Sequence, residues 1–250
     1  LYAKWAPVTH TVTYFGNGND GGSAPVDGSS PYSYNSTVTV LGSGTLTKTG
    51  HTFIGWNTQA DGLGTDYAPA STFSITSDTN LYAKWSIDTH TVSYSGNGND
   101  GGTAPTDGSS PYNYNSTVTV LGNTGGLTKT GYSFVDWNTQ ADGLGTNYAP
   151  AATFSITGNV ILYAKWAPVT HTVTYNGNGN TGGSAPTDGS SPYNYNSTVT
   201  VLGNTGALVK TGYTFVDWNT QADGLGTNYA PAATFTITGD VILYAKWAPV

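Results

Sequence analysis

The chain has 250 residues, and only 8% of them are charged, where about 25% is usual in globular proteins. The formal net charge is −7; every acidic residue is aspartate and every basic residue is lysine. Seven scattered lysines argue against nucleic-acid binding, which needs clustered cations to neutralise phosphates. No apolar run reaches the roughly 20 residues that span a bilayer. The absence of cysteine excludes disulfides, thiolate metal sites and a cysteine nucleophile.

The composition predicts a mostly β protein, because threonine, valine and tyrosine favour strands and glycine, asparagine, proline and aspartate favour turns. From residue 170 onward, alternation of apolar and polar residues predicts the first of a series of strands. A long loop rich in glycine and asparagine follows the first of them. The last is the most apolar, which predicts a central strand buried on both faces. The predicted strands are 170–175, 195–202, 213–218, 234–238 and 241–247.

A long internal repeat dominates the sequence. The string LYAKW begins at Leu1, Leu81, Leu162 and Leu243, and residues 86–166 differ from residues 167–247 at 12 of 81 positions. A period of this length suits a small independent domain. We therefore predict three modules in an elongated rod, joined by short linkers; the linker 167–171 contains a proline that restricts it further. The predicted boundaries are 1–5 as the closing strand of a preceding module, then modules 6–85, 86–166 and 167–250.

The third copy contains the strings GYTFVDWNTQADGLGT from Gly212, TFTIT from Thr234 and LYAKW from Leu243. These strings resemble the Listeria–Bacteroides repeat, also called the internalin B B-repeat. Copies two and three depart from its pattern with Asp136 and Asp217 where glycine is usual, whereas the first copy keeps Gly55. The resemblance implies a small β-grasp-like fold, display on bacterial surface or secreted proteins, and no enzyme activity.

Metal and cofactor sites are not expected. The loops 16–22 and 96–102 superficially resemble calcium loops, but each holds one carboxylate, and Thr181 replaces it in the third copy. Calcium prefers six to eight oxygen ligands, several of them carboxylates, so a solvated turn is the better interpretation. The turn 223–226 likewise lacks a calcium pattern and is predicted to be a hairpin turn.

The remaining polar residues also predict no catalytic centre. His10, His90 and His171 recur once per module and His51 stands alone, too few for a zinc site within one module. We expect them to pack on strand surfaces. No phosphate-binding glycine loop and no nucleophile elbow is present. The sequence therefore predicts no catalytic, cofactor-binding or metal-binding residues.

Three sets of recurring side chains have two interpretations each. Lysines inside the last strand could have packed stems and solvated amines, or isopeptide bonds to Asn or Asp. Asparagines in N-S-T tripeptides could be N-glycosylated or form turns at strand starts. Tyrosines beside Pro31 could cap the core or form a binding patch; capping is favoured. The three sets are Lys84, Lys165 and Lys246; Asn35, Asn115 and Asn196; and Tyr32, Tyr34 and their copies.

The function that the sequence favours is an extracellular structural or adhesive array: a stalk, an adhesin segment or a filament. The alternative is a multivalent array of modules that binds glycans or host surface proteins. Neighbouring repeats or further copies of the chain are the expected partners. LYAKW occurs four times against three copies of every other strand. The extra copy, residues 1–5, fits either an excerpt from a longer array or strand exchange with another chain.

Overall fold

The structure, a computed structural model, describes residues 1–250 and consists of 24 β-strands without any helix. No segment forms a helix that is long and apolar enough to cross a membrane. The first repeat contains β1 Thr9–His10, β2 Val12–Phe15, β3 Tyr32–Ser33, β4 Thr37–Thr39, β5 His51–Asn57, β6 Asp66–Tyr67, β7 Thr72–Ser74 and β8 Thr79–Ile87. The second contains β9 Thr89–His90, β10 Val92–Ser95, β11 Tyr112–Asn113, β12 Thr117–Thr119, β13 Tyr132–Asn138, β14 Asn147–Tyr148, β15 Thr153–Ser155 and β16 Val160–Pro168. The third contains β17 Thr170–His171, β18 Val173–Asn176, β19 Tyr193–Asn194, β20 Thr198–Thr200, β21 Tyr213–Asn219, β22 Asn228–Tyr229, β23 Thr234–Thr236 and β24 Val241–Pro249.

The chain forms two compact units that do not follow the repeat boundaries. The first comprises Leu1–Ser93, Asp107–Thr119 and Ala152–Val160, and it contains all of repeat 1 with β9, β11, β12 and β15. The second comprises Tyr94–Thr106, Val120–Ala151 and Ile161–Val250, and it contains β13, β14 and all of repeat 3.

In the first unit, repeat 1 forms a four-stranded sheet in the order β2-β8-β5-β6. β8 lies parallel to β2 and antiparallel to β5. The parallel pair needs a long crossover, and the rest of the repeat supplies it. Inside that crossover, β4 and β7 form a separate antiparallel pair in which Val38 lies opposite Phe73. The core lies between the sheet and this pair, with Val38, Trp56, Ile75 and Leu81 fully buried.

In the second unit, repeat 3 forms the same sheet in the order β18-β24-β21-β22. The predicted central position of the last strand is confirmed, because β24 pairs with both β18 and β21. Its predicted burial on both faces is wrong. Leu243 and Ala245 are fully buried, whereas Tyr244 and Lys246 on the opposite face are only half-buried. No further layer covers that face within the repeat, so alternate residues keep access to solvent.

Two predicted strands differ from the observed ones by more than two residues at their ends. Residues 170–175 divide into β17 and β18, which pair with β19 and β24 respectively. The break falls at Thr172, whose N–H is donated to Asp240 Oδ1 at 2.7 Å instead of to a neighbouring strand. The predicted strand 195–202 is reduced to β20, which spans Thr198–Thr200. Period-2 patterning predicts an extended backbone but cannot reveal where the pairing partner changes.

One tryptophan in each repeat lies fully buried in the core. Trp56, Trp137 and Trp218 are each 0% exposed. Their indole N–H groups donate to the carbonyl oxygens of Leu41, Leu121 and Leu202 at 2.8, 2.8 and 2.9 Å. Trp85 and Trp247 are half-buried and pack against the cores of repeats 1 and 3.

A tyrosine–glycine contact links successive repeats within each unit. In the first unit, a Cβ added at Gly50 would lie 2.0 Å from Cδ1 of Tyr114. Asp88 bridges the two, since its N–H donates to the Gly50 carbonyl at 2.9 Å and its carbonyl accepts from the Tyr114 N–H at 2.8 Å.

The second unit repeats this junction with Gly131, Val169 and Tyr195, at 2.9 and 2.8 Å. A Cβ added at Gly131 would lie 2.2 Å from Cδ1 of Tyr195. The tyrosine ring therefore lies flat on the glycine, and only a residue without a side chain leaves it room.

Gly131→Ala tests this junction against a matched control. Gly212 occupies the same position in repeat 3 with a similar φ of +78°, but a Cβ there would meet nothing within 4 Å. Both alanines incur the left-handed backbone penalty of about 1–2 kcal/mol. Only Gly131→Ala also displaces a ring, which costs typically about 1–3 kcal/mol more. Urea unfolding followed by tryptophan fluorescence measures both losses; equal losses would contradict the assigned contact.

Candidate functional site

Repeat 1 contains a polar groove of about 410 Å³ beyond the end of β2. Lys84 and Trp85 reach it from β8, Gln59 from the turn after β5, Asn17 from the loop after β2, and Lys48 from the segment before β5. The groove thus collects side chains from four separate stretches of one repeat.

Asn17 fixes the wall of this groove. It follows β2 in the left-handed conformation, with φ of 51°, which asparagine tolerates better than most residues. Its side-chain amide donates to the carbonyl oxygens of Ala60 at 3.0 Å and Ala83 at 2.9 Å. The indole of Trp85 donates to Gly16 O at 3.0 Å. These bonds hold the loop, the turn and β8 together around the groove.

Asn57 shapes the turn that forms the opposite wall. Its side chain is buried, and its Oδ1 accepts from the backbone N–H groups of Gln59 at 2.8 Å and Gly64 at 3.0 Å. Its amide nitrogen donates to Gly62 O at 3.1 Å and to Asp66. The same pattern recurs around Asn138 and Asn219. In each repeat, hydrogen bonds of one buried asparagine therefore hold the loop that connects the two strands of this hairpin.

Lys84 forms an ion pair with Asp66 at the rim of the groove. The hydrogen bond from Lys84, followed by that from Asn57, lowers the pKa of the Asp66 carboxyl below its ordinary value. Both side chains remain partly solvated, so the pair contributes little to folding stability. Its main effect is on the local charge, because it neutralises Lys84, one of the two lysines that line the groove of repeat 1.

The second repeat has a corresponding groove of about 240 Å³ with the same residue types. Asn147 replaces Asp66, and Lys165 donates to its Oδ1 at 3.1 Å. Lys129 lies over the ring of Tyr132, 5.0 Å from the centroid, and Tyr132 also lines the groove.

Repeat 3 keeps these residue types at the same positions. Lys246 donates to Asn228 Oδ1 at 3.0 Å and Lys210 to Asn178 O at 3.3 Å. Lys210 also lies over the ring of Tyr213, at 5.0 Å. Repeats 2 and 3 therefore present lysines that no carboxylate pairs with at this rim.

The loops 16–22 and 96–102, and their copy in repeat 3, are hydrogen-bonded to the segments that precede β5, β13 and β21; each such bond is called a clamp here. The Asp20 carboxylate accepts from the Thr49 N–H at 2.7 Å, and that of Asp100 accepts from Thr130 at 2.6 Å. In repeat 3 the hydroxyl of Thr181 accepts from the Thr211 N–H at 3.1 Å. No group of three or more His, Cys, Asp or Glu side chains that could hold a metal ion occurs in the chain.

Three of the four histidines lie on the short first strands of their repeats, and His51 begins β5. His10 and His171 lie 3.7 and 3.6 Å from Asp78 and Asp240 respectively. His90 faces the ring of Tyr114 at 6.1 Å. None of these three lines a groove described above.

The N-S-T asparagines form turns at strand starts. Asn35, Asn115 and Asn196 are exposed, with φ of 64°, 61° and 65°. Each donates its backbone N–H at 2.7 Å to a core isoleucine carbonyl, of Ile75, Ile156 and Ile237 respectively.

The tyrosines beside Pro31 divide between two roles. Tyr32 packs against the core, and its hydroxyl donates to Asp27 Oδ2 at 2.8 Å; the capping interpretation is confirmed for this residue. Tyr34 is 60% exposed, whereas its copies Tyr114 and Tyr195 cover the junction glycines. The pairing of tyrosine with a distant glycine has no local sequence signal.

Two kinds of similarity relate the chain to known proteins. The model of the Listeria-Bacteroides repeat domain matches residues 10–84, 90–165 and 171–246. Two proteins of Evansella cellulosilytica are 35% identical to the chain. One, named "Putative membrane protein", aligns with 99% of the chain, which spans 34% of that protein. The other, named "Putative Gly-rich membrane protein", aligns with 95% of the chain, which spans 26% of it. The chain thus spans about a third or less of these relatives.

The effect of acid on stability should differ between the Asp100 clamp of repeat 2 and the Thr181 clamp of repeat 3. Hydrogen bonds from the side chain and then the backbone N–H of Thr130 lower the pKa of Asp100 from 3.8. A lowered pKa in the folded state means that the stabilisation is present above the unfolded value and disappears as pH falls through the folded value. Asp100→Thr, which copies Thr181, should therefore reduce the loss of unfolding free energy between pH 5 and pH 2, as followed by thermal melts.

The reciprocal change, Thr181→Asp, should increase the acid-induced loss. Identical pH profiles for the wild type and both variants would show that the clamp is not sensitive to its charge.

Proposed function

Because the chain belongs to the Listeria-Bacteroides repeat family, we propose that it is a segment of a bacterial surface or secreted protein with a structural or adhesive role. Its proposed activity is mechanical spacing and contact without catalysis. Both named relatives are described as membrane proteins, which supports display at an envelope.

The observation that carries this proposal is the repeated junction. Gly50 with Tyr114, and Gly131 with Tyr195, make the same contact at successive positions. Because each repeat provides both a tyrosine and a glycine, the arrangement can be extended by any number of further copies. Repetition of one joint suits a spacer whose length depends on repeat number.

We further propose three folding modules at 6–85, 86–166 and 167–250, each β-grasp-like, with residues 1–5 as the closing strand of a preceding module. A parallel β2–β8 pair joined by a long crossover supports the β-grasp comparison. Residues 1–5 belong to no strand and are exposed in this structure. Their proposed origin rests on their identity with 81–85.

Two measurements test the proposed role. Antibodies against the purified chain should label intact cells of the source organism without permeabilisation; labelling only after lysis would contradict surface display. In small-angle scattering, a rod of three modules should have a radius of gyration above about 25 Å, whereas a compact chain of this length gives about 18 Å. A value near the lower figure would exclude the rod while leaving display untouched.

A further inference from the structure

The lysines of this acidic chain are concentrated at one kind of site. Lys48 and Lys84 line the groove of repeat 1, and Lys129 and Lys165 line that of repeat 2. The two lysines of repeat 3 stand at the same positions. Lys4, in the exposed N-terminal segment, is the single lysine elsewhere. A surface that served solubility alone would have no reason to place its cations at two fixed positions around a groove.

The grooves also carry hydrogen-bonding groups that the fold does not use. The exposed side chains of Gln59 and Gln140 make no hydrogen bond within the protein, and only their backbone N–H groups do. Asp142 uses one carboxylate oxygen, Oδ1, for the Leu144 N–H and leaves the other open. Each groove thus presents free amide donors and acceptors, a free carboxylate oxygen and ammonium groups.

Aromatic rings complete the grooves. Trp85 and Trp166 line the first and second groove, each fixed by an indole N–H bond of 3.0 Å to the preceding glycine loop. Tyr132 adds a second ring in repeat 2. Small-ligand sites typically occupy about 300–1,000 Å³ and combine aromatic walls with a few placed polar groups. The first groove lies near the lower end of that range and the second, at about 240 Å³, just below it, which suits one compact unit of a ligand.

We propose that each repeat binds one acidic sugar unit of a polysaccharide in this groove. Sugar hydroxyls both donate and accept hydrogen bonds, so they match a site that mixes Gln140, Asp142 and lysine. The apolar face of a sugar ring can stack on the aromatic wall. Its acidic group pairs with the lysines through charge-assisted hydrogen bonds.

A nucleic acid fits these observations less well. The chain carries no arginine, the residue whose planar guanidinium pairs with phosphates through two parallel hydrogen bonds. The carboxylates of Asp61 and Asp142 also lie in the grooves. They can accept hydrogen bonds from sugar hydroxyl groups, of which a sugar unit of a polysaccharide offers several and a nucleotide few.

The proposed sites of the three repeats should differ in affinity. In repeat 1 Asp66 neutralises Lys84, whereas Asn147 and Asn228 leave Lys165 and Lys246 their full charge. Asp136, the cross-strand partner of Lys165, forms no ion pair with it and keeps Oδ1 buried. Repeats 2 and 3 should therefore bind the acidic sugar more tightly than repeat 1.

This inference goes beyond the proposed structural role, because a spacer needs no ligand and a binder need not be a rod. Three sites on one chain would let a polysaccharide bind through several units, so that weak individual affinities multiply. The contact would then be selective for acidic polymers over free acidic monosaccharides.

Isothermal titration of the whole chain tests the proposal at low and physiological salt. The probes are oligogalacturonate, dextran sulfate, a neutral malto-oligosaccharide, poly-glutamate and a single-stranded oligonucleotide. At least one acidic saccharide should bind about tenfold or more tightly than all three controls, a difference of about 1.4 kcal/mol. The carboxylate and sulfate probes distinguish which acidic group is preferred. Equal binding of poly-glutamate or the oligonucleotide, or no binding of either acidic saccharide, would overturn the proposal.

Matched variants locate the site. Replacing Gln59, Gln140 and Gln221 together by alanine should weaken binding at least about tenfold. The double variant Lys165→Gln and Lys246→Gln should weaken it by a similar factor, while Lys4→Gln should leave binding unchanged. Asn147→Asp, which copies repeat 1, should weaken binding, and Asp66→Asn should strengthen it. Because the glutamine side chains are exposed and form no hydrogen bonds within the protein, replacing them should not alter the melting temperature. Wild-type affinity in the glutamine or lysine variants would place the ligand elsewhere and refute the groove.

Discussion

The burial of one indole in each repeat is the constraint on which the rest of the module depends. In repeat 1, Trp56 packs edge-on against Tyr14 and Phe53, with ring centroids 4.7 and 5.1 Å apart. Trp56 Nε1 donates to the carbonyl of Leu41, and the Tyr14 hydroxyl accepts from the Leu41 N–H at 3.0 Å. Burial raises the pKa of Tyr14, so its hydroxyl remains protonated. Both backbone groups of Leu41 are therefore tied to aromatic side chains of the sheet.

This aromatic clamp helps a small module to hold a long crossover in place without a disulfide bond. The chain has no disulfide, and a module of about 80 residues buries a limited fraction of its surface. Leu41 lies in the crossover between β2 and β8, after the strand β4 that covers the core. Fixing Leu41 to the sheet fixes the crossover, and the same clamp recurs at Leu202 through Tyr175 and Trp218.

The groove and the junction are consequences of this fixed frame. The segment that follows Trp56 begins with the buried Asn57, which orders the turn bearing Gln59. The glycine loop after β2 is held by Trp85 and Asn17. Only loops whose ends are held by the sheet can keep such side chains in place, and rigid elements position binding groups better than free loops.

Much of this fold could be predicted from the sequence, because the same pattern of residues occurs in three copies. The all-β class and the central last strand follow from composition and patterning. What could not be predicted depends on distance in space. Nothing local pairs Tyr114 with Gly50, and nothing local shows that Lys48 and Lys84, 36 positions apart, border one groove. One signal was available: the lysines of the three repeats recur at two fixed positions, and Lys4 is a further copy of the lysine in LYAKW.

The exchange of the indole N–H protons with deuterium, followed by NMR, tests the central claim most directly. The chain has seven tryptophans, and Trp5, which is 89% exposed, provides an internal reference. The account predicts that the protons of Trp56, Trp137 and Trp218 exchange only through unfolding of their repeats, slower than Trp5 by about a thousandfold or more for a module stable by 4 kcal/mol or above. The half-buried Trp85 and Trp247 should fall between. Exchange of the Trp56 group at a rate near that of Trp5 would contradict the account.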